Sequence, residues 1–181
     1  MDNWSRLARR IRVPMGFAFA AVYAWQARPT GRSLIAGAVV AIPGMVLRAL
    51  ASGHVLKNEQ LTTTGPYAYT RNPLYLGSVI MAVGFCLAAR SWWIAGLAAL
   101  FFAAIYVPVI RSEEQYLRQH FSDFDQYAAQ VPRFLPRLRP VPSSPGAFSW
   151  ALYRQHREYN AVLGGVAMIL VLIAKLFWVS N

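Results

Sequence analysis

The sequence predicts an all-α, polytopic integral membrane protein with about five transmembrane helices and a tight helical hairpin. Three observations carry that prediction. Hydrophobic residues make up 56% of the 181 positions and charged residues 14%, against roughly 25% charged in soluble domains. The mean hydropathy is +0.34. The apolar residues gather into runs near the length of a bilayer span, which takes about 20 residues at 1.5 Å rise each. A soluble chain of this size has too much surface for so few polar groups, and the composition equally excludes disorder.

The segments follow in order. Residues 1–12 are polar and basic, and the stretch after them lacks a clear small-x-small cleavage site, so it reads as an anchor rather than a removed signal peptide. The first apolar segment, 13–27, is short, with Trp25 and Arg28 marking its interface. The second, 34–56, is interrupted by Pro43, Arg48 and His54. The third, 74–89, and the fourth, 92–110, are separated only by Ala89-Arg90-Ser91, which makes them a tight hairpin that either spans fully or is partly re-entrant. Pro108 lies near the end of the fourth. The fifth runs over 161–179, with Lys175 close enough to its end to snorkel. Between the spans, 57–73 reads as a loop with turns at Thr64-Gly65-Pro66 and Arg71-Asn72-Pro73. Residues 111–130 look helical. The 132–146 stretch, with Pro132, Pro136, Pro140, Pro142 and Pro145, reads as an irregular connector. The chain is taken as a single domain, 1–181: N-terminal spans over 1–56, a core over 57–136, and a connector plus C-terminal span over 137–181.

The charge balance is lopsided: 18 Lys+Arg against 7 Asp+Glu, net +11. Nucleic acid is the reflex partner for such a chain, but it does not explain the apolar runs, and no nucleic-acid partner is expected. A bilayer explains both, with membrane lipids as partners. If the N-terminus is cytoplasmic and all five segments cross, 13 of the 18 cations, Lys57 and Arg71 included, fall on the cytoplasmic side. Arg28, Arg32, Arg90 and Lys175 fall outside, and Arg48 lies within the second segment. The bias orients the N-terminus inward and puts the two long polar stretches on one cytoplasmic face. The single cysteine, Cys86, excludes an intrachain disulfide framework and a multi-Cys metal site. His54, His120 and His156 show no metal spacing, so no metal is expected.

Three constellations carry chemistry. The 64–77 segment packs Tyr67, Tyr69, Tyr75, Arg71, Asn72, two prolines and two glycines at the mouth of the third span. Pro73 would open that helix, whose positive end favours an anion; Arg71 can bind the same carboxylate, and the tyrosines offer stacking faces with polar tips. An interfacial aromatic and basic belt is the plainer reading. Second, Arg111-Ser112-Glu113-Glu114 places two of the seven acids just beyond the fourth segment. Adjacent helical residues point about 100° apart, so at most one is expected to face a given site. A carboxylate there holds a ligand's ammonium or ribose, or else a salt bridge to Arg71 or Arg111. Third, Arg48 and His54 sit on the second segment; Arg48 snorkels or pairs with a glutamate, and His54 is either structural or catalytic.

Gly65-Pro66-Tyr67-Ala68-Tyr69-Thr70-Arg71-Asn72-Pro73-Leu74-Tyr75-Leu76-Gly77, an apolar hairpin, then Glu113-Glu114, Phe121, Tyr127 and Val131-Pro132-Arg133 form two ordered blocks. Together they resemble the isoprenylcysteine carboxyl methyltransferase family and the related bacterial phospholipid methyltransferases over roughly residues 54–136. The resemblance implies an integral membrane enzyme, in a bacterial inner membrane, with its active site on the cytoplasmic side. It implies S-adenosylmethionine as cofactor (S-adenosylhomocysteine as product), held in a pocket between the proline-rich loop, the hairpin and the Glu-Glu helix. Lipophilic substrate would enter from the bilayer. Carried over, Gly65, Pro66, Tyr67, Arg71, Asn72, Pro73 and Tyr75 would line the cofactor site. Glu113 and Glu114 would contact cofactor or substrate, with Arg111 nearby.

Two departures matter. The carboxyl methyltransferases usually carry Arg-His-Pro where this chain has Arg71-Asn72-Pro73, and the Asn-Pro pair is similar to that of phospholipid N-methyltransferases. The usual Phe-Gly is Phe121-Ser122. The acceptor therefore stays open among a prenyl thioether carboxylate, a phospholipid amine and another small lipophilic group. A carboxylate needs no base at neutral pH; an amine or alcohol must lose a proton, and Glu113 or Glu114 is nearest. Two rival functions remain at this level: an NADPH-dependent membrane reductase, since sterol reductases share a similar membrane fold, and a non-catalytic lipid-binding membrane protein.

Overall fold

The computed structural model describes residues 3–56, 59–142 and 146–179. Lys57 and Pro145, assigned above to the cytoplasmic side and to the connector, lie outside them. Every regular element among the described residues is helical. Helix α1 is Asn3–Gln26 and α2 is Gly31–Ser52; a 3-10 turn, Gly65–Ala68, follows. Helix α3 is Pro73–Ala89 and α4 is Trp92–Phe101; a π-helical turn, Phe102–Tyr106, joins α4 to α5, Val107–His120. Short helices α6, Phe124–Gln130, and α7, Trp150–Gln155, precede α8, Tyr159–Val179.

Three helices are long and apolar enough to cross a membrane: α2, the continuous Trp92–His120 rod and α8. Only 28%, 22% and 11% of their most apolar windows are buried inside the protein. The remaining apolar surface faces outward all round, which only a hydrocarbon solvent tolerates at this scale. Helix α3 is shorter, at 17 residues, yet it runs the length of α2. At one end Arg48 bonds the Leu74 carbonyl at 3.2 Å, and at the other Ser33 bonds the Ala88 carbonyl at 3.1 Å. It therefore lies alongside its partner from one end of the bundle to the other. The first apolar segment proves to be the second half of α1, whose first half carries the arginines.

Small residues set the α2–α3 distance. A Cβ on Gly84 would lie 2.6 Å from the Ala41 amide nitrogen and the Gly37 carbonyl; one on Gly44 would lie 2.7 Å from the Gly77 carbonyl. Bare backbones at these positions let the helices approach closely, which maximises dispersion contacts where no hydrophobic drive operates between helices. The hairpin between α3 and α4 closes on Arg90 in the left-handed conformation at φ 53°, and Ser91 caps α4 by accepting from the Ile94 amide.

Polar side chains lock the other helices. Pro108 has no N–H to offer the carbonyl four residues back, and the Trp4 indole donates to that Ala104 oxygen at 3.1 Å. The exposed backbone group thus fastens α1 to the α4–α5 rod. Lys175 does not simply reach for solvent. It donates to the Ala24 and Trp25 carbonyls, at 2.8 and 2.5 Å, where α1 leaves its last carbonyls without partners. Arg48 pairs with Glu158 at 2.7 Å and also bonds Ser78, tying α2 and α3 to the start of α8. Trp25, Trp92, Trp93 and Trp178 are all exposed at the end of the bundle away from the 57–73 loop, an aromatic belt at one membrane interface.

A methyl group at Gly84 has no room, whereas Gly96 faces open space. Gly84→Ala should destabilise the detergent-solubilised protein by roughly 1–3 kcal/mol, as overpacking generally does. Gly96→Ala should leave thermal unfolding unchanged or slightly improved.

Candidate functional site

The site is assembled from a loop, two helix ends and the proline-rich connector. Gly65 takes φ +58°, and a Cβ there would collide with the His54 ring at 2.6 Å. A glycine is required for the turn to close over α2. His54 is itself held by the Leu50 carbonyl at 2.8 Å and packs edge-on against Phe148, a structural role. The connector then straps the loop from outside. The Arg71 amide bonds Pro132, the Arg137 amide bonds Tyr69 and the Val141 amide bonds Ala68, at 3.0–3.1 Å, while the Thr70 hydroxyl reaches Arg133 and Phe134. The Tyr127 hydroxyl, on α6, donates to the Tyr67 carbonyl at 2.8 Å.

Asn72 occupies the N-cap position of α3 but makes no cap bond. Its amide instead donates to Glu114 at 3.0 Å and to the Arg133 carbonyl at 3.1 Å. Glu114 is buried. Its second oxygen takes the Arg133 Nε at 2.9 Å and Nη2 at 2.7 Å, and Arg71 Nε stands 3.8 Å from the first. The hydrogen bond to Glu114 raises the pKa of Arg133 above its ordinary range. A buried carboxylate with two flanking cations and an amide donor is fully compensated. The Tyr75 hydroxyl donates to Glu113 at 2.8 Å.

These groups surround a cavity of about 460 Å³, within the usual size range of small-molecule sites. Tyr67, Arg71, Asn72, Pro73, Tyr75, Glu113 and Glu114 all line it. Both glutamates do so, contrary to the expectation that at most one would. The cavity curves around α5, and side chains 100° apart reach it from either flank. Arg111 is exposed and does not line the cavity. Gly65 and Pro66 form the turn behind it rather than its wall. Sequence reasoning did not name Leu56, Gln60, Thr62 or Tyr116 as wall residues, because no local pattern marks them. Arg133 lay within the quoted motif, but its hold on Glu114 depends on the connector folding back.

The chemistry divides along these contacts. Burial pushes the Tyr67 and Tyr127 phenols well above the ordinary tyrosine range, so they stay protonated at neutral pH. Neither serves as a base there. Arg71 Nε is buried without a hydrogen-bond partner, its nearest counter-charge being Glu114 at 3.8 Å, and its side chain lines the cavity, so it keeps donor capacity toward a ligand there. Glu113 holds only the Tyr75 bond among the described contacts and keeps acceptor capacity for a ligand.

Comparison with known proteins agrees with the motif resemblance. The phospholipid methyltransferase family model matches residues 50–123. The match covers somewhat less than half of the chain. Among curated proteins, the nickel-cobalt-cadmium resistance protein of Alcaligenes xylosoxydans xylosoxydans is 44% identical over 82 residues, and the cobalt-zinc-cadmium resistance protein of Cupriavidus metallidurans is 39% identical over 82. The protein-S-isoprenylcysteine O-methyltransferase of Schizosaccharomyces pombe is 34% identical over 83 residues. Each match covers 45% of this chain and 38%, 38% and 35% of the respective relative, so the chain aligns with well under half the length of these proteins. No solved structure matches. The matched segment holds Arg71, Asn72, Tyr75 and both glutamates; Tyr127, Arg133 and Glu158 lie beyond it.

Asn72→Asp replaces the donor to Glu114 with a second carboxylate. It should destabilise the protein by about 2 kcal/mol or more at pH 7. The like charge raises the carboxyl pKa of the pair in the folded state, so stability should recover as pH falls below that raised pKa and worsen as pH climbs through it. Thermal unfolding at a series of pH values reads both.

Proposed function

We propose that this protein is an integral membrane methyltransferase that uses S-adenosylmethionine and methylates a lipophilic acceptor drawn from the bilayer. The observation that carries the reading is the cavity itself. Motif residues of the methyltransferase-family segment converge on it, and Arg71 presents there a buried Nε that makes no hydrogen bond, with Glu114 only at ion-pair distance. Those residues fit the cofactor's chemistry. Arg71 and the first turn of α3, opened by Pro73, would take its carboxylate. Glu113 would take its ammonium or ribose hydroxyls, and the Tyr67 and Tyr75 rings would face its cationic portion. The cofactor, when bound, supplies an activated methyl group on a positively charged sulfur.

The two glutamates take different parts. Glu114 is consumed by Asn72 and Arg133 and would hold the loop, α5 and connector in register as a positioning residue. Glu113 keeps a free acceptor edge and would receive the proton when the acceptor is an amine or alcohol. Arg111 stands outside and would act on the surface field only. The N-terminus and the cavity would face the cytoplasm of a bacterial inner membrane, on the Lys/Arg bias. The whole chain would act as one domain.

Thermal-shift titration of the detergent-purified protein tests the reading. S-adenosylhomocysteine should raise the melting temperature and NADPH should not. Arg71→Ala should weaken the S-adenosylhomocysteine response about tenfold, equivalent to about 1.4 kcal/mol. A response to NADPH alone would overturn the proposal, and silence to both would favour a non-catalytic lipid-binding role. Transfer of labelled methyl to lipid extracts, compared between prenylcysteine and phospholipid fractions, then identifies the acceptor. Glu113→Gln should slow transfer to an amine acceptor by about 100-fold or more, the usual share of a general base, and leave a carboxylate acceptor far less affected.

A further inference from the structure

The connector that straps the site presents two leucines to the outside. Its inner face is anchored at both ends. Phe134 packs edge-on against Phe102 of the membrane-crossing rod, ring centroids 5.7 Å apart, and Val141 packs against the Phe124, Tyr127 and Val131 cluster. The backbone bonds from Arg137 and Val141 to the 68–69 loop hold the middle in place. On this fixed ribbon Leu135 is 79% exposed and Leu138 fully exposed. Arg137 and Arg139, between and beside them, are exposed too. No acid occurs from residue 126 to residue 157, a stretch that holds Arg133, Arg137, Arg139, Arg154 and Arg157.

Depth decides what such a ribbon meets. Phe102 lies within the Trp92–His120 helix, which is long and apolar enough to cross a bilayer, so its contact with Phe134 brings the start of the ribbon within reach of the hydrocarbon. A rigid backbone that leaves large apolar side chains out of its own core, interleaved with unopposed cations, matches the chemistry of a negatively charged lipid interface. A water-facing loop gains nothing from either feature, since the leucines would order water and the arginines would repel one another.

We infer that residues 133–142 form a contact surface for an anionic leaflet. Leu135 and Leu138 enter the acyl boundary, and Arg137 and Arg139 bind phosphate oxygens of anionic headgroups. The ribbon begins with Arg133, which holds Glu114 in the cavity. Leaflet charge therefore bears on the cavity through one covalent segment. The inference stands on packing, exposure and charge and does not depend on which reaction the cavity performs.

Site-directed fluorescence in nanodiscs tests it. With Cys86, the single cysteine, replaced by alanine, one bimane label is placed at Leu138→Cys and, separately, at Ser122→Cys in the exposed turn after α5. Lipids carrying a shallow nitroxide should quench the label at 138 at least about twofold more than that at 122. Raising the phosphatidylglycerol content against phosphatidylcholine should strengthen the quenching, and Arg137→Gln with Arg139→Gln should remove that dependence. Equal quenching of both labels by aqueous iodide, with no lipid quenching at 138, would overturn the proposal. So would shielding at 138 from both quenchers, which would mean a protein covers the ribbon. Lipid quenching indifferent to phosphatidylglycerol would overturn the anionic assignment.

Discussion

Everything on the loop side of the molecule depends on one buried carboxylate. Glu114 sits where an unpaired charge would cost several kcal/mol, so two separate segments must deliver partners to it. Asn72 and the adjacent Arg71 come from the end of the loop that opens α3, and Arg133 from the proline-rich connector. Each donor also carries its own backbone into place. The Arg71 amide bonds Pro132, and the Asn72 side chain bonds the Arg133 carbonyl. The carboxylate and the strap are mutually required, and the cavity is the space that this closed ring leaves open.

The membrane part obeys a different constraint. Among apolar helices in lipid, burial of surface offers little, and close approach and polar tethers set the arrangement. Gly37, Gly44, Gly77 and Gly84 supply the approach between α2 and α3. Arg48 with Glu158, Lys175 on the end of α1, and Trp4 on the carbonyl freed by Pro108 supply the tethers. Two of these compensate backbone groups that helix geometry leaves unpaired. The same Arg48 that ties α2 to α8 also bonds the Leu74 carbonyl in the first turn of α3. The bundle is thereby joined to the cavity wall at its first helical turn.

The fold class, the hairpin and the proximity of the loop motif to a helix start were legible because each rests on local signals. Span length follows from counting apolar residues, and the hairpin from a three-residue break. Gly65 and Pro73 mark a turn and a helix start whatever surrounds them. The family resemblance added the pairing of two blocks that lie about 40 residues apart, and both blocks do meet at one cavity. The single-facing rule for Glu113 and Glu114 failed because it assumed a flat site, and this cavity wraps the helix.

The sequence by itself determined that the chain is a helical membrane protein with its polar motif gathered at the mouth of a span. Apolar length and turn chemistry act within a few residues and need no tertiary partner. Only the tertiary structure decided what each charged group does. It gave Glu114 to Asn72 and Arg133, left Glu113 with an open edge, and matched Arg48 with a glutamate 110 positions away. It also turned the connector into a strap. Ion-pair choice in a low-dielectric interior is set by which donors the folded backbone brings within about 3 Å, and that distance exists only once the helices have crossed.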